Sequence, residues 1–274
     1  MSIQHKSEEQ ILASTESMVS LQHIYKTFNP DSVNEVVLFT DFNLNIKPQQ
    51  FVSVVGSNGS GKTTVLNLLC GSIPVDSGAI YVKGQEISKL KEYQHSKFIG
   101  RVFQDPSKGT CPELTILENM ALADNKGKTF ALNMGVNKHR TDYYRTQLEL
   151  LKLGLEDKLN ISVASLSGGQ RQALALLIST MTPIDLLILD EHTAALDPRS
   201  SENVMELTEH IVREKKLTTL MVTHNLKFAI NYGDRLIMMH KGECLIDVED
   251  EQKSSIGTNE LLNKFNEISI EVGN

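Results

Sequence analysis

The stretch that most constrains this chain is Val52-Ser53-Val54-Val55-Gly56-Ser57-Asn58-Gly59-Ser60-Gly61-Lys62-Thr63-Thr64-Val65-Leu66. Its apolar, β-branched start reads as a buried strand; a glycine-rich loop follows, then a helix carrying Leu66, Leu68 and Leu69 that stops near Gly71. Gly56 to Thr63 fits G-x-x-x-x-G-K-[ST] in the strand–loop–helix setting that gives this pattern its meaning. Glycines let backbone N–H groups close around a phosphate, and the helix start adds the positive end of its dipole. Lys62 is placed to reach the β- and γ-phosphates, and the Thr63 hydroxyl to ligate Mg²⁺. An ordinary glycine turn would satisfy the spacing alone, but not the strand before it and the helix after it. The loop therefore predicts a nucleoside triphosphate held by Gly56, Ser57, Asn58, Gly59, Ser60, Gly61, Lys62, Thr63 and Thr64.

The 274 residues suffice for one large α/β domain, or a core with a smaller insertion. A net charge of −7 argues against broad nucleic-acid binding. No apolar run approaches the length of a membrane span, and polar Met1 to Met18, with Glu8 and Glu9, has no secretory core. Cys70, Cys111 and Cys244 are scattered and odd in number, which fits reduced thiols of a cytosolic protein better than a disulfide framework or metal site.

Taken in order, residues 1–18 read as a loosely ordered extension. Short strands are expected at Val19–Ile24 and Val36–Phe39, around a turn at Asn29-Pro30-Asp31, with the pattern continuing through Phe42–Ile46. Tyr25 and Phe28 flank the end of the first strand, and either could stack on a base or simply pack there. Gly78–Gly84 and Ile99–Gln104 read as further strands. Residues 105–165 read as a mainly helical insertion, including a segment Thr141–Leu153 with Leu148, Leu151 and Leu153 on one face. Leu166-Ser167-Gly168-Gly169-Gln170 then opens a buried helix, as a second anion-binding end or as an ordinary serine cap. Ile184–Glu191 is an apolar strand ending in two carboxylates, at the sheet edge where α/β proteins bind ligands. There Asp190 can hold Mg²⁺ through water, and Glu191 can orient or deprotonate an attacking water. Thr218–Thr223 is a strand ending in His224, at the same edge and placed for a γ-phosphate contact. A hairpin follows around His240-Lys241-Gly242-Glu243, and residues 249–274 form a charged tail with a short helix expected at Asn259–Ile268.

This ordered set resembles the ATP-binding subunit of an ABC transporter over about residues 19–248. Gln104 stands where the family has its Q-loop glutamine, and Leu166–Gln170 reproduces the family signature letter for letter. Leu186–Glu191 matches Walker B with its catalytic glutamate, Ala195-Leu196-Asp197 the D-loop, and His224 the switch histidine. Phe28 matches the adenine-stacking aromatic better than Tyr25 does. The resemblance implies a P-loop NTPase of ABC type: a mostly parallel core sheet, an antiparallel β subdomain and a helical insertion. It further implies two copies closing head to tail around two ATP, each nucleotide lying between one phosphate loop and the Ser167, Gly168, Gly169 and Gln170 of the other copy. Asp197 would belong to the same nucleotide interface. Glu191 would polarise the water, with Gln104 and His224 as its catalytic companions, and Thr63, Gln104 and Asp190 would serve the metal. Closure would drive transmembrane permease subunits from the cytoplasmic face of the membrane. The stretch Asp105–Leu114 would lie near the groove that grips a permease helix.

Several positions depart from the common family pattern. His192 stands where proline is usual, Ala194 where the D-loop has serine, and Ala173 and Ile178 where many importers carry arginine. The string Asp190-Glu191-His192-Thr193-Ala194-Ala195-Leu196-Asp197-Pro198 resembles one bacterial importer group that works with a substrate-binding lipoprotein and a permease, associated with uptake of aromatic amino acids such as tryptophan or tyrosine. A soluble assembly-type ATPase, of the iron–sulfur kind, and an exporter subunit are the alternatives. A chromosome-type relative would need a long coiled coil, which the 61 residues between Gln104 and Leu166 cannot hold.

Overall fold

The structure, a computed structural model, describes residues 17–128, 135–255 and Asn263. Residues 1–16 of the expected N-terminal extension, and the helix expected at 259–268 apart from Asn263, lie outside the described residues. The chain runs β1 (Val19–Phe28), β2 (Val36–Ile46), β3 (Phe51–Gly56), α1 (Lys62–Cys70), β4 (Ser77–Val82), β5 (Gln85–Glu86), α2 (Glu92–His95) and β6 (Ile99–Val102). It continues through α3 (Ile116–Asp124), α4 (Thr141–Glu149), α5 (Gly168–Ser179), β7 (Leu186–Asp190), α6 (Pro198–Glu214) and β8 (Thr218–Val222). Then come α7 (Leu226–Asn231), β9 (Arg235–His240), β10 (Glu243–Glu249) and α8 (Asp250–Ser255).

The strands form two sheets, an antiparallel one in the order β2-β1-β4-β5 and a six-stranded one in the order β10-β9-β3-β8-β7-β6. In the larger sheet every neighbouring pair is parallel except β9 with β10. Its central strands are covered on both faces, which is why β7 reads as an apolar run up to Asp190 and every residue of β8, Thr218 and Thr219 included, is buried. The pleat sorts them: Leu187 and Leu189 join a core with Leu174 and Leu177 of α5 and Met205 of α6, whereas Leu186 and Ile188 join a second core with Leu66 and Leu69 of α1 and Leu21 of β1. The strand order places the C-terminal ends of β3, β7 and β8 side by side. The phosphate loop, the two acids and His224 therefore leave the sheet at one edge.

Several elements differ from their sequence reading. The short strands expected near the N-terminus are two long ribbons, kinked where His23 (φ 51) and Asp41 (φ 57) adopt left-handed conformations. The His23 N–H donates to Asn43 Oδ1 at 2.9 Å across that kink, and the bulge breaks the period-two pattern that would have joined the segments. Strand β6 ends at Val102, so Gln104 lies in the loop beyond it. Helix α4 stops at Glu149, but Leu148 and Leu151 are buried as expected. The sequence reading placed no helix at 198–214. Its signals were present: Asp197 caps the start by accepting from the Ser200 N–H, Pro198 occupies the first turn, and Val204, Met205, Thr208, Ile211 and Val212 make one buried face.

Between residues 105 and 165 the described chain holds α3, α4 and short 3₁₀ turns. Ile116, Met120, Tyr144 and Leu148 pack in the same core as α5. Asp124 links α3 to α4 by accepting from Arg140 at 2.6 and 2.9 Å and from the Tyr144 hydroxyl at 3.1 Å.

Candidate functional site

The loop after β3 wraps the start of α1, and Lys62 lies across it with 5% of its surface exposed. Its ammonium donates to the carbonyls of Gly56 at 2.9 Å and Ser57 at 2.8 Å, and to Ser60 Oγ at 3.4 Å. Burial pulls its pKa down, opposed by the charge of Glu191. The lysine thus holds the loop in shape through the loop's own carbonyls. A second prop comes from the far hairpin, where the Gly242 N–H donates to the Ser60 carbonyl at 3.1 Å.

Around this loop opens a cleft of about 340 Å³ lined by Phe28, Val36, Leu38, the run Asn58–Thr64, Glu191 and His224. Phe28, not Tyr25, borders it; Tyr25 pairs with Ser77 in the antiparallel sheet instead. Beneath the Phe28 ring the Lys26 ammonium lies 5.5 Å from the centroid and is fixed by Asp76 at 2.7 Å. Glu191 sits at φ 48, its N–H donating to the Val222 carbonyl at 2.9 Å, and its Oε1 meets His224 Nε2 at 2.7 Å. The acid and the histidine expected to work together are therefore in contact, brought there from adjacent strands.

Next to this cleft lies a second hollow of about 610 Å³, whose walls include Thr63, Arg101, Gln104, Gly168 and Asp190. A threonine hydroxyl, an amide and a carboxylate make an all-oxygen donor set, which suits a hard ion such as Mg²⁺ arriving with phosphate oxygens. Among the described residues no cluster of three or more His, Cys, Asp or Glu forms a self-contained metal cage. Ser167, Gly169 and Gln170 face elsewhere, into a groove shared with Ser200, Asn203 and Glu206 of α6. Both sequence readings of this serine meet in one geometry. Ser167 Oγ accepts from the Gln170 N–H at 3.3 Å and Gln170 Oε1 from the Ser167 N–H at 3.1 Å, a capping box at a helix start whose first N–H groups have no partner within the helix. Asp197 is exposed; accepting from Ser200 lowers its pKa as it caps α6. One copy therefore gathers the phosphate loop, Phe28, Glu191 and His224 in one cleft and Thr63, Gln104 and Asp190 in its neighbour, but keeps most of the signature apart.

Three neighbours of the site, Gln172, Asn67 and Arg101, were not singled out from sequence. Gln172, 1% exposed, donates to the Phe103 carbonyl at 3.0 Å and ties α5 to the loop carrying Gln104. Arg101 donates to Asp190 and to Asn67, and the signal for the arginine was a charge inside the apolar run Ile99–Phe103. His192 is buried: its Nε2–H donates to Thr208 Oγ1 at 3.1 Å, and burial pushes its pKa down to about 4, so a neutral imidazole fills the position where proline is usual.

Residues 39–194 match the model of the ABC transporter family. The tyrosine transport ATP-binding protein of Clostridioides difficile is 47% identical, over 90% of this chain and 98% of its own length. The phosphonates import ATP-binding protein of Lactococcus lactis subsp. lactis is 32% identical, over 76% of this chain and 85% of its own. Among solved structures, a dimeric post-hydrolysis ATP-binding cassette bound to ADP and Pi superposes with a TM-score of 0.71 at 29% identity, covering 85% of this chain and 98% of that one. The family's cassettes dimerise and work with membrane permeases; in this chain no described helix is long and apolar enough to cross a membrane. By motif, geometry and likeness the chain belongs to the ABC transporter family, as an ATP-binding, ATP-hydrolysing subunit.

Proposed function

We propose that this chain powers a bacterial importer of aromatic amino acids, with tyrosine as the leading candidate cargo. The observation that carries the reading is the 47% identity, along nearly the full length of both chains, to a tyrosine transport ATP-binding protein. A relative named for phosphonate import points to the same direction of transport.

In the mechanism we infer, Thr63, Asp190 and Gln104 would hold Mg²⁺, which would supply charge neutralisation on the phosphate oxygens of ATP. Lys62 exchanges its bonds to Gly56 and Ser57 for phosphate oxygens, so the loop is already shaped when the nucleotide arrives. Phe28 stacks on the base, backed by Lys26. Glu191 orients the attacking water, and His224, now in contact with it, moves to the γ-phosphate. Ser167, Gly168, Gly169, Gln170 and Asp197 complete the site of a second copy, which fits their facing largely away from the phosphate loop of their own chain. We treat residues 105–165 as the part that transmits closure to the permease, with the core assigned to about 19–248 and a tail beyond it. The assembly would include a substrate-binding lipoprotein and place this chain on the cytoplasmic face of the membrane, with no nucleic-acid partner.

The test is a mild-detergent pull-down from native membranes with the tagged chain, followed by tyrosine uptake into vesicles holding the recovered complex. Co-purification of a multispanning permease, with ATP-dependent tyrosine uptake, is the expected outcome. Recovery of soluble partners alone would overturn the transport reading, and a complex that moves another solute would overturn the cargo.

A further inference from the structure

Arg101 carries an inference beyond the assignments above, resting on the reading of Asp190 as the metal-side carboxylate. Its guanidinium donates through Nη2 to Asp190 Oδ2 at 2.7 Å and through Nη1 to Asn67 Oδ1 at 3.1 Å. The cation also lies 4.7 Å from the centroid of the Phe103 ring. Its side chain is 15% exposed and that of Asp190 17%, and the Nε of Arg101 is buried without a partner. Strand β6 supplies the arginine, α1 the asparagine and β7 the carboxylate, so the cation is fixed from three sides in the same hollow as Thr63 and Gln104.

A mostly buried carboxylate waiting for a metal is costly to leave bare, because it has lost much of its hydration and has no counter-charge. Here it is not bare. We propose that Arg101 is the resident counter-ion of the metal site and sets the chain's affinity for the divalent cation. It neutralises Asp190 while the site lacks metal. With Arg101 on Oδ2, only the remaining coordination of Asp190 would be available to a divalent ion. A full positive charge this close, in partly desolvated surroundings, lowers the attraction for a second cation by at least an order of magnitude. The arrangement also ties the ends of β6 and β7 together. Arg101 is thus a positioning residue, acting through Asp190 rather than on the nucleotide.

The test uses Mn²⁺ as the metal and a non-hydrolysable ATP analogue, with free Mn²⁺ counted by its electron paramagnetic resonance signal. Arg101→Met should bind Mn²⁺ about tenfold more tightly than the parent chain, and Mn²⁺ should raise its melting temperature more than it raises that of the parent. Arg101→Gln, which keeps a donor but loses the charge, should show the same gain; Arg101→Lys should stay within about threefold of the parent. Analogue binding in EDTA verifies that each variant is folded, and the Gln variant decides the matter if the Met variant does not fold. Unchanged or weaker Mn²⁺ binding in the Gln variant overturns the proposal. Asp190→Asn separates this failure from that of the site itself: if it leaves Mn²⁺ affinity unchanged, Asp190 is not the metal-side carboxylate, whereas a loss there without a gain in Arg101→Gln refutes only the role of Arg101.

Discussion

Gly242 lies outside every nucleotide motif, yet its substitution by alanine should damage both the fold and the nucleotide site. Lys241 (φ 45) and Gly242 (φ 83) form the two-residue turn between β9 and β10, and a Cβ on Gly242 would stand 1.7 Å from the Leu38 carbonyl oxygen and 3.3 Å from the Phe39 ring. Real Cβ contacts essentially never fall under 3.0 Å, so hairpin and β2 would have to separate by more than 1 Å, breaking the Gly242 N–H bond to Ser60. Left-handed strain costs about 1 kcal/mol, crowding against backbone about 2 and the lost hydrogen bond about 1, giving roughly 4 kcal/mol in all. The control is built in. Lys83 (φ 51) and Gly84 (φ 76) make the same kind of turn between β4 and β5, where a Cβ would meet nothing within 4 Å. Gly84→Ala should therefore cost only the conformational term, about 1 kcal/mol. Urea unfolding without nucleotide measures both, and ATP titration should show weaker binding for the Gly242 variant alone. Equal costs within about 1 kcal/mol, or unchanged ATP affinity for both, would refute the crowding argument.

Three further perturbations test other parts of the site and its support. Lys62→Ala removes the donor to Gly56, Ser57 and Ser60, and ATP affinity measured by calorimetry should fall at least about tenfold, the worth of one charge-assisted bond. Glu191→Gln should slow ATP hydrolysis by at least about a hundredfold while giving a stable dimer with ATP and Mg²⁺ on gel filtration; a variant that stays monomeric contradicts the two-copy site. Lys253 is buried on the carbonyls of Tyr232 and Gly233, and burial lowers its pKa from 10.5 to about 8. Between those values the unfolded chain keeps this proton and the folded chain gives it up, so the group adds stability as pH rises from 8 towards 10.5 and withholds it below 8. Relative to Lys253→Met, the parent chain should gain about 2 kcal/mol between pH 8 and 10 in urea titrations; a flat difference would show that the lysine is not desolvated.

The sequence by itself determined the elements whose cause is local. The β-branched run, the loop glycines and Lys62 specify strand, phosphate loop and helix within fifteen residues, and Ser167 with Gln170 specifies a capped helix start three residues apart. The apolar run into Asp190 and Glu191, and the turn at Lys241-Gly242, are equally local in origin. Only the tertiary structure decided which of these meet. That Glu191 touches His224 follows from β7 pairing with β8, and that Arg101 seals Asp190, 89 positions away, follows from β6 pairing with β7. Parallel strands joined by long crossovers carry no register signal in the chain between them, so no spacing rule announces such neighbours. The same holds for Gly242, whose need for glycine comes from the backbone of β2 on the other sheet. Local chain chemistry fixes what each segment can be, whereas the packing of sheet against sheet fixes which charges, carbonyls and Cβ positions share one small volume.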